Sequence, residues 1–538
     1  MAGLAATFGS GAMTNSINEI RDAACILATG TNTTAAHPVI GFMVKQAVRN
    51  GTRLIVANSR EIPLCRYADL WLRLHPGTDV ALLMGIMRVI VAEGWLDSAF
   101  IEERGENFEA FRESLSSFNL DFVECVTGVP GEHVVEAARL YATNQPASIL
   151  YAMGITQHSH GTDNVLAISN LAMLTGNIGK PSTGVNPLRG QNNVQGACDM
   201  GALPNVYPGY QAVIDATIKG KFEKAWGCQL SAKPGLTVPD ILAAIERGEI
   251  KAVYLVGENP LISEPDAGHV RQIFMKLDLL VVQDIFMSET AQLADVVLPA
   301  TSFAEKEGTF TNTERRVQRV RKAVKPVGNC RPDWWITCQL ARRMGSKGFD
   351  YTEPVQIMDE IAQVTPSYGG ISFARLEDGS LQWPCPTQEH PGTPILHTQK
   401  FSRGRGKFMP LEYKPPQELP DDEYPLLLTT ERSLFHYHTG TMTRKVSGLN
   451  AFLGEGLVEI NPEDARVLGI ANSEMVKVFS RRGAVEAKAR VTGVTPVGVV
   501  TMNFHFAESS ANVLTNVALD PVAKIPELKV CAVKIEKA

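Results

Sequence analysis

The sequence contains no C-x-x-C pair. Its nine cysteines stand scattered at 25, 65, 125, 198, 228, 330, 338, 385 and 531, so neither a zinc ribbon nor an iron–sulfur-binding run is encoded in these residues. Free cysteines of this kind are expected to be mostly small buried hydrophobes in a reducing compartment. No apolar run reaches the roughly 20 residues that a bilayer-crossing helix requires. The longest, Val80 to Trp95, is interrupted by Arg88 and Glu93, and no membrane span is expected. No cation precedes Arg21, and the small polar run Thr7–Ser16 lacks the basic-then-apolar order of an export signal, so a cytoplasmic chain is expected. Positive charge is not in excess either. A formal net charge of −6 and a pI near 6.1 argue against nucleic acid or an anionic membrane surface as a partner. Internal repeats and low-complexity tracts are absent.

What is present is ordinary globular composition, 44% hydrophobic and 20% charged, over 538 residues, long enough for three or four domains. Short apolar runs recur at Cys25–Thr29, Leu54–Ala57, Ser148–Met153, Ala252–Val256 and Leu279–Val282. Each ends in glycine or polar residues and reads as a buried strand of a parallel sheet. Val80–Glu93 reads as a helix between them, with Asp79 placed to cap it and Gly94 to end it. Ligands of open α/β sheets gather at the carboxyl ends of strands. Those ends begin here at Gly30, Ala57, Met153, Gly257 and Gln283, enough for one large ligand spread over two sheets.

From about Thr365 to Pro420 proline, glycine, glutamine and threonine thicken, and a linker or wrapping segment is expected. Beyond Tyr424 the runs Leu426–Thr429, Val476–Phe479, Ala484–Val491, Val499–Met502 and Val530–Ile535 predict a barrel-like β domain. Within it Asn461-Pro462-Glu463-Asp464 predicts a capped short helix closed by Gly469.

The densest polar stretch runs from Pro187 to Gly201 and holds Arg189, Gln191, Asn192, Asn193, Gln195 and three glycines. Amides donate and accept, glycines admit close backbone approach, and a guanidinium fork matches a carboxylate. By composition alone the stretch reads rather as a hydrogen-bonded surface loop, and it only marks a candidate site.

The string R-G-Q-N-N-V-Q-G-A-C-D-M-G-A-L-P from Arg189 resembles the distinctive internal motif of molybdopterin-dependent formate dehydrogenases. Further matches follow the same order: L-A-A-T-F-G-S-G-A-M-T-N-S from Leu4, G-T-N-T-T-A-A-H-P-V from Gly30, V-Q-D-I-F-M-S-E-T-A from Val282, A-D-V-V-L-P-A-T-S from Ala294 and E-G-T-F-T-N-T-E-R-R-V-Q from Glu307. The resemblance spans nearly the whole chain. It implies two α/β parallel-sheet domains (1–190 and 191–345), a wrapping segment (346–422) and a C-terminal six-stranded, double-psi-type β-barrel (423–538). Between the sheet domains it implies a bis-molybdopterin guanine dinucleotide carrying Mo or W.

Positions carried over as cofactor-binding are Asn32, His37, Asn58, Ser59, Arg60, Gly77, Thr78, Asp79, Gly154, Gln157, His158 and Gln191. Further along come Gly257, Glu258, Asn259, Gln283, Asp284, Glu307, Gly308, Arg432, His436, His438, Asn512 and Lys529. Asp79 is equally a helix cap, whereas Arg60 suits a diphosphate or guanine edge better than an ordinary surface charge. Many family members have an acid where Asn58 stands. His436 and His438, two apart in a β-like stretch, would share one face, and His436 is the favoured contact. Arg189 is implied as the catalytic residue, gripping the formate carboxylate beside the metal.

In the family so resembled, a selenocysteine or cysteine ligand, its histidine and the cysteines of a [4Fe–4S] cluster precede the A-G-L-A-A-T-F-G-S-G string, which starts here at Ala2. The resemblance therefore places them ahead of this stretch and implies that the stretch alone is inactive. It implies formate as substrate and electron-transfer subunits (iron–sulfur, flavin/NAD or hydrogenase) as partners. Two alternatives stay open: a related nitrate-type molybdopterin oxidoreductase, and a metal-free scaffold similar to a subunit of respiratory complex I.

Overall fold

The structure, a computed structural model, describes residues 1–538. The chain forms two compact units. One contains Met1–Leu188, Pro260–Val270 and Ile395–Ala538; the other contains Arg189–Asn259 and Arg271–Pro394.

The first unit begins with a five-stranded sheet. Its strands are β1 (Cys25–Thr29), β2 (Arg53–Ala57), β3 (Leu70–Leu72), β4 (Ala147–Tyr151) and β5 (Gly184–Pro187). All pair in parallel, in the order β3-β2-β1-β4-β5. Every residue of β1 and β4 is buried, as helix-covered parallel sheets require, and their sequences are accordingly continuous apolar runs. From β1 the chain builds outward through β2 and β3 on one side and through β4 and β5 on the other. The gap between the ends of β1 and β4 is thus a topological switch point, where such sheets place their ligands. The expected strand through Met153 stops at Tyr151, because Met153–Thr156 turns into a short helix.

The expected helix is present as Asp79–Ala92, buried along most of its length. Asp79 is not its cap: Thr78 holds that position, its hydroxyl donating to the His75 carbonyl at 2.7 Å, and Asp79 is the first helical residue. Gly94, at φ +71°, follows the end of the helix.

The second unit contains a parallel sheet of β6 (Ala252–Val256), β7 (Leu279–Asp284) and β8 (Val296–Pro299), with β7 central. Beside it stands an antiparallel sheet of β9 (Gly308–Thr311), β10 (Arg316–Val320) and β11 (Leu381–Gln382). The proline-rich chain after Thr365 is anchored by Arg315, a fully buried residue at φ +66°. Its guanidinium donates to the carbonyls of Trp383, Thr393 (2.8 Å) and Pro394 (2.9 Å). A charged group with no water must have its donors satisfied, and three backbone carbonyls do that here.

The first unit ends in a closed six-stranded barrel. Its strands are β12 (Leu426–Glu431), β13 (Leu457–Ile460), β14 (Met475–Phe479), β15 (Ala484–Val491), β16 (Val499–Asn503) and β17 (Cys531–Lys537). Around the barrel they run β12-β16-β13-β15-β14-β17. Five of the six were expected; β13 was not, being only four residues long and carrying a buried glutamate. The short helix is Pro462–Leu468, with the Asn461 side chain accepting from Glu463 N and Gly469 at φ +67° closing it.

Five cysteines are buried, Cys65 and Cys330 are half-buried, and Cys125 and Cys228 are exposed, so burial describes these residues less completely than expected. No helix is long and apolar enough to cross a membrane.

Candidate functional site

In the first unit the expected positions collect at the carboxyl ends of the parallel strands. Gly30 leaves β1 and Gly154 leaves β4, and the Gly154 N–H donates to the Gly30 carbonyl at 2.9 Å. A Cβ on Gly154 would lie 2.6 Å from the Gly30 Cα. Two loops at the switch point therefore cross in van der Waals contact, which only glycine allows. Asn32 caps the four-residue helix that follows, accepting from Ala35 N at 3.4 Å, and His37 starts the next helix, Pro38–Arg49.

At the end of β2 the Asn58 side chain accepts from the Arg60 N–H at 3.2 Å, and the Ser59 carbonyl accepts from Arg73 Nε at 3.4 Å. Arg60 is not a surface charge. Its guanidinium forks onto Glu459 (2.8 and 2.9 Å) and reaches Glu431 at 3.2 Å, tying the β2 loop to barrel strands β13 and β12. Burial raises the Glu431 pKa despite the opposing pull of Arg60.

Gly77, Thr78 and Asp79 form the buried N-terminal turn of the long helix, and a Cβ on Gly77 would strike Pro416 at 2.5 Å. Asp79 is 6% exposed, and burial raises its pKa to about 7. Gln157 and His158 follow the loop from β4. His158 Nε2 donates to the Gly154 carbonyl at 2.8 Å, and the ring stacks on His160, whose Nε2 donates to the Gly77 carbonyl at 3.2 Å. Burial, then the neighbouring imidazole, lowers the His158 pKa to about 3. Both rings are thus neutral, and each presents an Nδ1 acceptor that has no protein partner.

The barrel adds cations. Lys529 Nζ donates to the Thr430 carbonyl (2.6 Å) and hydroxyl (3.1 Å) rather than to a carboxylate. Desolvation and the nearby Arg432 push its pKa down to about 7. Arg432 lies over the Phe504 ring at 4.5 Å, with its own pKa lowered by desolvation to about 10. The stretch holding His436 and His438 is not a strand; it forms turns, with His438 at φ +49°, so the two rings share no pleated face. The His436 ring contacts the Leu453 carbonyl (2.6 Å) and the Thr443 hydroxyl (3.2 Å). Burial and Arg432 lower the His438 pKa to about 4. Asn512 donates to the carbonyls of Ile262 (2.8 Å) and Ser263 (2.9 Å), leaving its buried Oδ1 unpartnered.

Lys529 and Arg432 are buried close together, and although Glu431 partly offsets the charge of Lys529, a further anion would stabilise both cations. Together with the bare acceptors of His158, His160 and Asn512, they fit a polar ligand bearing phosphates. The second unit has strand ends of its own. Gly257 (φ +65°) and Glu258 are exposed after β6. Buried Asn259 accepts from the Thr290 N–H (3.2 Å) and hydroxyl (2.7 Å) and donates to Glu289 at 2.7 Å. Gln283 donates to Asp333 at 2.7 Å and accepts from the Tyr254 hydroxyl. Asp284 accepts from the Ile285 N–H at 2.7 Å, and burial raises its pKa. Glu307 and Gly308 lie at the start of β9, where Glu307 stands 4.0 Å from Arg319.

Arg189 and Gln191 also belong to the second unit, in the loop before the helix Val194–Asp199. Arg189 Nε donates to the Gln195 carbonyl oxygen at 2.8 Å, and its backbone N–H to the Thr313 hydroxyl at 3.2 Å. Gln195 and Asp199 were not singled out from the sequence, although their i, i+4 spacing on a helix was the available signal. Tyr210, Tyr368 and Trp383, which complete their surroundings, are too distant in sequence to have signalled anything.

Strand-end glycines and buried cations beside a closed β-barrel define a protein suited to a phosphate-bearing ligand, and comparison with known proteins names the class. A family model described as molybdopterin oxidoreductase matches residues 3–343, and one described as a molydopterin dinucleotide binding domain matches residues 426–532. The chain belongs to the molybdopterin oxidoreductase family.

Among its relatives is the F420-dependent formate dehydrogenase subunit alpha of Methanocaldococcus jannaschii, 51% identical over 541 residues that cover 100% of this chain and 80% of the relative. Formate dehydrogenase H of Escherichia coli is 40% identical over 543 residues, covering 100% of this chain and 76% of the relative. Acetylene hydratase from Pelobacter acetylenicus shares the fold, with a TM-score of 0.78 at 22% identity over 100% of this chain and 80% of that one.

Proposed function

We propose that this chain is the catalytic subunit of a formate dehydrogenase, oxidising formate to carbon dioxide, a proton and two electrons. The supporting observation is Arg189, a guanidinium held through Nε by Gln195 in the second unit, set in a chain 51% identical along its whole length to a formate dehydrogenase alpha subunit. A held fork orients a carboxylate by two parallel hydrogen bonds, which points the C–H bond of formate in one direction. A bound bis-molybdopterin guanine dinucleotide with Mo or W supplies the two-electron redox chemistry.

Around that group the residues of this chain have holding roles. Lys529 and Arg432 neutralise phosphate charge, and the helix N-terminus at Gly77–Asp79 adds its dipole. The neutral rings of His158 and His160 and the Asn512 carbonyl accept from ligand N–H or O–H groups. In the second unit Gly257, Glu258 and Asp284 stand at strand ends open to a dinucleotide, while Asn259 and Gln283 shape their loops. The division at residues 190, 345 and 422 belongs to this reading, as does an electron-accepting partner subunit, since two electrons per turnover must leave.

The native holoenzyme, assayed side by side with formate and nitrate and analysed for Mo and W, tests the proposal. Formate-dependent reduction of a viologen dye with one metal per chain is expected. Turnover of nitrate alone would transfer the chain to an oxyanion reductase, and absence of metal from the native protein would make it a scaffold.

A further inference from the structure

Asp199 is 1% exposed and accepts four hydrogen bonds, every one from a neutral group. Oδ1 accepts from Gln195 Nε2 at 2.7 Å and the Tyr210 hydroxyl at 2.9 Å. Oδ2 accepts from the Tyr368 hydroxyl at 2.6 Å and Trp383 Nε1 at 2.7 Å. Burial raises the Asp199 pKa and these four bonds oppose the rise. Such a cage, drawn from positions 195 to 383, is more than the packing of a six-residue helix requires.

Its consequence falls on Gln195, itself 1% exposed. A glutamine amide has nearly the same shape when rotated by half a turn, so packing alone does not decide which end faces Arg189. Chemistry decides it. Asp199 is the acceptor in all four of its bonds, so the Gln195 NH2 faces it, with the second amide hydrogen available to the Tyr210 oxygen at 2.9 Å. The carbonyl oxygen is thereby turned to Arg189 Nε at 2.8 Å. The opposite orientation would oppose NH2 to N–H and push the guanidinium away. The loop cannot yield to accommodate it, because Arg189 N–H is held by Thr313 and the Asn193 side chain accepts from Thr311 N at 2.8 Å.

We propose that Asp199 and Gln195 are positioning residues: the carboxylate sets the orientation of the Gln195 amide, and that amide sets the plane of the Arg189 guanidinium that receives the substrate carboxylate. The relay rests on the reading of Arg189 given above and adds to it the groups that make the fork a fixed one.

A double-mutant cycle in the native holoenzyme tests it. Gln195→Met keeps the volume and removes the carbonyl. It is expected to lower kcat/KM for formate about 10- to 100-fold, the scale of a misplaced binding group, and to weaken calorimetric binding of azide, a small monoanion, by a similar factor. Metal content and melting temperature should stay near wild type. In an Arg189→Lys background, which has no Nε to hold, adding Gln195→Met should change either quantity less than about threefold.

Asp199→Asn should reproduce the Gln195→Met loss without adding to it. Where that variant fails to fold, Gln195→Met and the cycle decide alone. Additive losses in the cycle, or wild-type azide binding and kinetics in Gln195→Met, overturn the relay. Wild-type formate kinetics in Arg189→Lys would instead overturn the reading of Arg189, so the two failures are distinguishable.

Discussion

The N–H of Gly154 donates to the carbonyl of Gly30 at 2.9 Å, so the loops leaving β4 and β1 meet with no side chain between them. Gly154→Ala would place a methyl 2.6 Å from the Gly30 Cα, backbone that cannot move without opening the switch point. A loss of about 3 kcal/mol in denaturant unfolding is expected. Gly190→Ala, whose Cβ meets nothing within 4 Å, should be silent to about 0.5 kcal/mol. Equal stability of the two variants would refute the close crossing.

Arg60 lies between Glu459 and Glu431 and joins the β2 loop to the barrel. Arg60→Met leaves two enclosed carboxylates facing each other and should cost about 3 kcal/mol. The pH dependence has a definite sign. Burial already raises the Glu431 pKa, so its charged form is disfavoured in the folded state. Stability from that group is present at acid pH and is lost as pH rises through the raised value. Losing Arg60 raises it further, so the variant should weaken more steeply than wild type between about pH 5 and 8. Chemical denaturation across that range checks it.

Lys529 has its pKa pushed down to about 7. Without an anion the folded state therefore holds this proton less readily than the unfolded chain, so stability falls as pH drops from the ordinary lysine range towards 7. Binding of a phosphate group favours the charged form. The affinity of the chain for guanosine diphosphate, measured by calorimetry, should rise as pH falls from about 8.5 to 6, with proton uptake. Lys529→Gln should remove most of that slope; an unchanged slope would assign the proton to Asp79 or Glu431, whose pKa values lie in the same range.

Arg189→Lys keeps the charge and loses the planar fork. Formate turnover in the holoenzyme is expected to fall by about 100-fold or more, on the scale of a lost transition-state contact, with the metal retained. Near-normal kinetics would remove Arg189 from the mechanism.

What the sequence determined by itself were the features with a local cause. β1, β2 and β4 were legible because both faces of their parallel sheet are covered, which makes them apolar runs buried throughout but for Arg53; β6 and β7 were legible as apolar runs but are not the buried strands expected, since β6 alternates exposed and half-buried residues and β7 is only partly buried. The helix at Pro462 was legible from its own cap. The loop at Arg189 announced itself through amides and glycines that no core element would carry.

Only the tertiary structure decided the rest. Thr78 rather than Asp79 holds the N-cap position because the backbone enters the helix one residue earlier than the sequence suggested, with the Thr78 hydroxyl turned back to the His75 carbonyl. Strand β13 hid because a four-residue element carries too little pattern, and its Glu459 looked unsuited to a core until Arg60, 399 positions away, was seen to pair with it. Gln195 and Asp199 were in view as letters, but the donors that give them a role come from Tyr210, Tyr368 and Trp383. Propensity and periodicity are properties of neighbouring residues. Desolvation, and the hydrogen bonds that offset it, depend on which distant residues the fold brings within 3 Å.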